Sequence, residues 1–207
     1  MASMDEVLAA IEMVDLDRPW AAVAPSVMPV LRRRRPLPEE ADAPVRRIYA
    51  PGLEVSFGVD IGPAFFYIAP EQVRRWGVTE EEVAARGLAN VRARAEARRQ
   101  FGLIRDSVAG TALMAFQSRE GWASALLLLP DLLTRVFGPA PALVLAPMRD
   151  IIFRLPIDAD QELALWLLDE FTSLDPNALQ VPVLALVDGD LRFASESGSG
   201  WRRPRRN

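Results

Sequence analysis

Residues 53–68 read LEVSFGVDIGPAFFYI, and this stretch decides the fold. Leu53, Val55, Phe57 and Val59 alternate with Glu54, Ser56 and Gly58, the period of two expected of a strand with one buried face and one wet face. Ile61-Gly62-Pro63 has turn chemistry, with Asp60 ahead of it as a turn-forming side chain. Residues 64–68 (AFFYI) return as a second strand, so the two pair as a hairpin.

Downstream, Pro70 suits the first turn of a short helix that reaches Trp76 and stops at Gly77. Thr79 and Glu82 have capping-box spacing and start a longer helix to about Arg99, with Val83, Leu88, Val91 and Ala95 towards the core. Residues 111–117 form a strand. Residues 121–137 are helical, with Trp122, Leu126, Leu129, Leu133 and Val136 on one face and Pro130 either kinking one helix or starting the second of two. Residues 143–146 and 151–155 flank Pro147-Met148-Arg149-Asp150 as a hairpin. Asp158 is placed to cap a helix over 159–173, and residues 183–187 and 191–194 surround the turn Asp188-Gly189-Asp190.

Upstream, residues 1–26 combine an amphipathic helix over 3–16 with a segment punctuated by Pro19 and Pro25. Residues 27–31 are extended. Residues 32–47 (RRRRPLPEEADAPVRR) hold too little apolar surface to bury and read as an exposed charged connection, and residues 195–207 as a flexible arginine-rich tail. The expected architecture is therefore a single α+β domain over residues 27–194. Its sheet is mostly antiparallel or mixed, built from hairpins, with helices packed mainly on one face.

Composition narrows the chemistry. Half of the 207 residues are apolar, all 24 cations are arginine, and histidine, cysteine and lysine are absent. That excludes Ser-His and Cys-His nucleophiles, thiolate or imidazole metal sites, Schiff-base lysines and a phosphate-loop lysine. The net charge is −4, and because the tail holds four arginines and one acid, the rest of the chain stands at −7. A nucleic-acid partner is not expected of such a body. The segment 1–10 carries Asp5 and Glu6 and no basic residue, unlike a secretory signal, and the longest apolar run, 123–129, is far short of the roughly 20 residues of a membrane span. The cytoplasm is the expected compartment. The all-arginine usage reads most simply as coding bias.

The order of elements, with Met28-Pro29-Val30-Leu31-Arg32, Val59-Asp60-Ile61-Gly62, Gly121-Trp122, Leu145-Ala146-Pro147 and Arg149-Asp150, resembles the YtpQ-like family, a bacterial family classed as a domain of unknown function. The resemblance covers roughly residues 27–194. It implies a small α/β protein and brings no reaction, cofactor or catalytic residue.

Candidate sites follow from loops and charge. Met148, Arg149 and Asp150 at one hairpin tip, and Asp60 at another, are the expected partner-binding residues, since turns display side chains without taking part in the core. Asp158 and Asp160 are weak metal candidates, because carboxylates there also suit a helix start. Arg92, Arg94, Arg98, Arg99 and Arg105 could line a basic stripe, although Glu82 and Glu96 are spaced to compensate it. Arg202, Arg203, Arg205 and Arg206 in the tail are weak anion-binding candidates. The function expected is a non-enzymatic interaction or accessory module with another protein as partner, no cofactor, and self-association allowed. The alternatives are a divalent-cation enzyme built on Asp60, Asp150, Asp158 and Asp160, and a weak nucleic-acid or anionic-surface binder using the arginines.

Overall fold

A computed structural model describes residues 18–34, 44–50, 53–60, 65–98, 100–174, 178–179 and 181–196. The helix over 3–16, residues 35–43 of the charged connection, the Ile61-Gly62-Pro63 turn, Arg99, and the tail from residue 197 with its four arginines lie outside them.

The α+β class with antiparallel pairing is present in the structure. The strands form two sheets where one was expected, and the chain gathers into two compact units, Met1–Ala97 and Arg98–Asn207. In the first unit, a helical turn α1 (Trp20–Val23) precedes strand β1 (Val27–Arg33), and β2 (Arg46–Ala50), β3 (Leu53–Asp60) and β4 (Phe65–Tyr67) follow. Strand β1 runs along the whole of β3, whereas β2 and β4 share its other margin end to end. Helices α2 (Pro70–Trp76) and α3 (Glu80–Ala97) complete the unit. The capping box that starts α3 is made: Thr79 N–H donates to Glu82 at 2.7 Å, and Glu82 N–H to the Thr79 hydroxyl at 3.2 Å. Those Thr79 donors hold the Glu82 carboxyl below its usual range.

Strand β3 is not half-buried as its alternation suggested; every one of its eight positions is buried. Glu54, on the face expected to be wet, is only 2% exposed. The reason is electrostatic. Arg32, directly opposite on β1, brings Nε to 2.9 Å from Glu54 Oε1, and Arg46 on β2 places Nη1 3.4 Å from Oε2. A buried carboxylate flanked by two guanidinium groups is tolerated where a lone one is not. Strand β2 is thus drawn from residues read as the end of the exposed connection and the start of the core. On the other face, Phe57 and Pro29 meet α3 at Gly87, where an added Cβ would stand 3.2 Å from the Phe57 ring. Asn90 of α3 donates to the carbonyls of Ala24 and Val27, both at 2.8 Å.

The second unit is a six-stranded sheet in the order β10-β9-β7-β8-β6-β5, comprising β5 (Ile104–Val108), β6 (Thr111–Gln117), β7 (Ala142–Met148), β8 (Ile151–Pro156), β9 (Leu184–Val187) and β10 (Asp190–Phe193). Pro130 starts the second of two helical pieces: a 3₁₀ helix (Ala123–Leu128) packs on β8, and α4 (Pro130–Phe137) follows. Helix α5 (Gln161–Ser173) covers the face that carries Leu143, Leu145, Phe153 and Leu155. Its N-cap is Asp160, not Asp158: one Asp160 oxygen accepts from Glu162 N–H at 2.6 Å and Leu163 N–H at 3.2 Å, while Asp158 is exposed in the preceding turn. The Asp188-Gly189 tip has φ of 53° and 83°, the left-handed pair that a two-residue hairpin turn requires.

Strand β5, which its mixed polar sequence did not announce, is the outer strand of this sheet and is largely exposed. Its register with β6, closed by Val108 opposite Thr111, turns the Ser107 N–H to the margin that no described strand pairs. There the side chain of Asp106 accepts it at 2.7 Å. Among the described residues no helix is long and apolar enough to cross a membrane.

Gly58 of β3 has no space for a side chain, because an added Cβ would stand 2.6 Å from the carbonyl oxygen of Phe66 on the neighbouring strand. Gly58→Ala should therefore cost about 1–3 kcal/mol through overpacking, measured as a shift of the urea midpoint at constant slope.

Candidate functional site

Residues 117–124 leave β6, cross its end and enter the 3₁₀ helix, passing over the Met148-Arg149-Asp150 turn between β7 and β8. Polar contacts fasten the two. The Asp150 carboxylate accepts from the Ser118 hydroxyl, from Gly121 N–H at 3.0 Å and from the Gln117 side-chain amide at 3.0 Å. Backbone bonds add to this: Ser118 N–H donates to Asp150 O and Ser124 N–H to Arg149 O, both at 3.0 Å. The crossing segment is locally unfavourable at Arg119, with φ 60°, whereas Gly121 takes its φ of 72° without strain. A residue with a Cβ resists the left-handed region, so these contacts hold the backbone against its preference.

The Ser118–Asp150 pair has the elements of a nucleophile and a base, but its surroundings assign it another task. Ser118 is 1% exposed. Its oxygen donates to Asp150 and accepts from Trp122 N–H at 3.1 Å and Ala123 N–H at 3.2 Å. A hydroxyl offers one donor and two lone pairs, and all three are engaged. The arrangement is a latch that fixes the turn to the crossing segment.

Around the latch lies an aromatic and cationic cluster. Arg98 donates to Ser118 O at 2.8 Å, stands 3.3 Å from Glu120, and places its guanidinium over Trp122 at 5.2 Å and Phe116 at 5.8 Å. Glu120 in turn accepts from the Trp122 indole at 3.0 Å. The Arg149 guanidinium lies over Gly121, where a Cβ would be 3.2 Å from its Nη2. Glycine is therefore required there twice, by its φ and by the space the arginine fills.

The four aspartates weighed as metal ligands fall into distinct roles. Asp150 closes the latch, Asp160 caps α5, and Asp158 sits in the exposed turn before it. Asp60, 8% exposed, is paired with Arg94 of α3 at 3.5 Å in the first unit. Among the described residues no three acidic side chains gather to hold a metal ion. The arginine stripe is likewise largely compensated: Arg92 lies 4.0 Å from Glu96, Arg94 faces Asp60, Arg98 faces Glu120, and Arg105 is on the exposed β5. Met148 packs against the core cluster of the second unit, which leaves Arg149 as the polar head of its turn.

Sequence reasoning placed Asp150 at a turn but missed Gln117, Ser118 and Gly121 as its partners. A signal was present in Ser118 and Gly121, a hydroxyl and a conformationally free residue following a strand, but their partner lies 32 and 29 residues away. Comparison with protein-family models, characterised proteins and solved structures finds no match to this chain.

Asp150→Asn removes one of the two acceptor oxygens and turns an amide towards existing donors, and Ser118→Ala orphans the N–H groups of Trp122 and Ala123. Each should cost about 1–3 kcal/mol, read as an earlier urea midpoint. A double variant should lose less than the sum, because both changes break the same network.

Proposed function

We propose that the protein is a non-enzymatic interaction module of the cytoplasm that engages an acidic partner protein through the Arg149 turn. The observation that carries this reading is the latch. Hydrogen-bond donors from residues 117–121 converge on the Asp150 carboxylate and fix the turn that carries the half-buried Arg149. A guanidinium held on a rigid turn loses little freedom on binding, which favours specific recognition of carboxylates. The latch occupies Ser118 and Asp150, while Asp60 pairs with Arg94 and Asp160 caps α5, and this dispersal weighs against the carboxylate enzyme. The resemblance to the YtpQ-like family fits an accessory protein, since it brings no reaction with it. Self-association through the same turn is a form of this reading.

Arg149→Ala should fold with a loss of about 1 kcal/mol, as expected of a half-buried arginine stem. It should also fail to retain the protein that the native chain captures from an extract of its source cells, identified by mass spectrometry. Asp158→Asn, an exposed change outside the latch, should retain it. Equal capture by native protein and Arg149→Ala would refute the reading. A rise of several degrees in the melting temperature with millimolar magnesium or manganese would favour the enzyme instead.

A further inference from the structure

Helix α5 turns an uncovered stripe to solvent. Ala164 and Leu167 are buried against the sheet, while Glu162, Trp166, Asp169, Glu170 and Ser173 recur at helical spacing on the opposite side, and all five are exposed. Trp166 is 53% exposed, and Leu174 at the C-cap is 67% exposed. An indole left so open keeps much of its apolar area in water, and among the described residues no ring or guanidinium stacks on it.

The charge on the stripe is of one sign and stands at the wrong end of the helix. Asp169 and Glu170 lie near the carboxyl end, where the helix dipole favours cations, and no basic residue occupies the last turn. Glu81, Glu96 and Glu120 elsewhere on the surface each have an arginine, but among the described residues none pairs with Glu162, Asp169 or Glu170. Unpaired acids around an open tryptophan match a ligand with several planar cations, since a guanidinium both bonds carboxylates and stacks on an indole.

The chain itself carries such a segment. Residues 197–207 read SGSGWRRPRRN, with Arg202, Arg203, Arg205 and Arg206 and no acid. They follow Ala194, which packs in the same core cluster as Ala164 and Leu167, so this stretch departs from beside the buried side of α5. Half the girth of a helix 10–12 Å across is about 17 Å, and residues 197–202 span up to about 20 Å when extended. The arginines therefore reach the outer stripe, and Gly198 and Gly200 place little restriction on the path.

We propose that the basic segment 202–206 docks in cis on the outer stripe of α5. Its arginines pair with Asp169, Glu170 and Glu162, and one guanidinium lies on the Trp166 ring. The contact stands apart from the Arg149 reading, and neither depends on the other.

The test uses full-length chains: the native protein and a tail variant that combines Arg202→Gln, Arg203→Gln, Arg205→Gln and Arg206→Gln. Amide chemical-shift differences between the two should centre on Trp166, Asp169 and Glu170, and should shrink in about 1 M sodium chloride, which screens charges beyond about 3 Å. A synthetic peptide of sequence GWRRPRRN, added in trans, should bind the tail variant with a Kd on the order of millimolar. It should bind the native chain about fivefold more weakly, because the tethered segment competes at a millimolar effective concentration. Adding Asp169→Asn and Glu170→Gln to the tail variant should weaken the peptide about fivefold, and Trp166→Ala in the same background about threefold, with melting temperatures nearly unchanged in each. No shift difference at the three named residues, equal peptide affinity of native chain and tail variant, or an affinity indifferent to the acidic pair would overturn the proposal. So would shift differences that grow with protein concentration alongside a dimeric mass, which would give the stripe to the tail of a second copy.

Discussion

The carboxylate of Asp150 joins two parts of the chain that sequence separates by 32 residues. Without it the segment after β6 would have to hold Arg119 and Gly121 in left-handed conformations unaided. With it, that segment has one route across the end of the sheet, and the route sets where Trp122 is buried, where the 3₁₀ helix begins and where the Arg149 guanidinium lies against Gly121. A charged acceptor suits this role, because charge-assisted hydrogen bonds are roughly twice as strong as neutral ones.

The first unit uses charge in a parallel way. Glu54 is held between Arg32 and Arg46 across three adjacent strands, and Asp60 is held by Arg94 from a helix. Both acids lie on the strand that anchors the unit, so the pairs act as register marks. A slip of one residue towards Leu31 would put Glu54 opposite an apolar position and take it out of register with Arg32. The guanidinium groups also stack: Arg32 over Tyr67, Arg98 over Phe116 and Trp122, Arg135 over Phe101. An all-arginine composition reads as coding bias from the sequence, but these planar contacts use what distinguishes a guanidinium from an ammonium.

Local chemistry was legible in the sequence. The capping box at Thr79, the stop at Gly77, the Asp188-Gly189 turn and the hairpin around Met148-Arg149 each depend on residues within a few positions of one another, and each is present. What was not legible depended on distant partners. Glu54 looked wet because the arginines that neutralise it come from other strands, and β5 has no apolar pattern because an outer strand needs none. Asp158 and Asp160 are equivalent caps by sequence, and only the path of the chain after β8 selects Asp160. The candidate site was half read: Asp150 was found at its turn, while the residues that give the turn its rigidity were read as strand end and helix start.

The margin of β5 that no described strand pairs bears on the behaviour of the molecule in company. A sheet whose last strand exposes unpaired backbone groups can accept a further strand from any neighbour, and repeated addition builds fibres. Here Asp106 turns back onto the N–H of Ser107 and occupies a donor that an incoming strand would need. At this one of the sheet's two margins the protection thus rests on one short side chain bonded to its own neighbour. That protection is inexpensive for evolution to install and equally easy for it to lose.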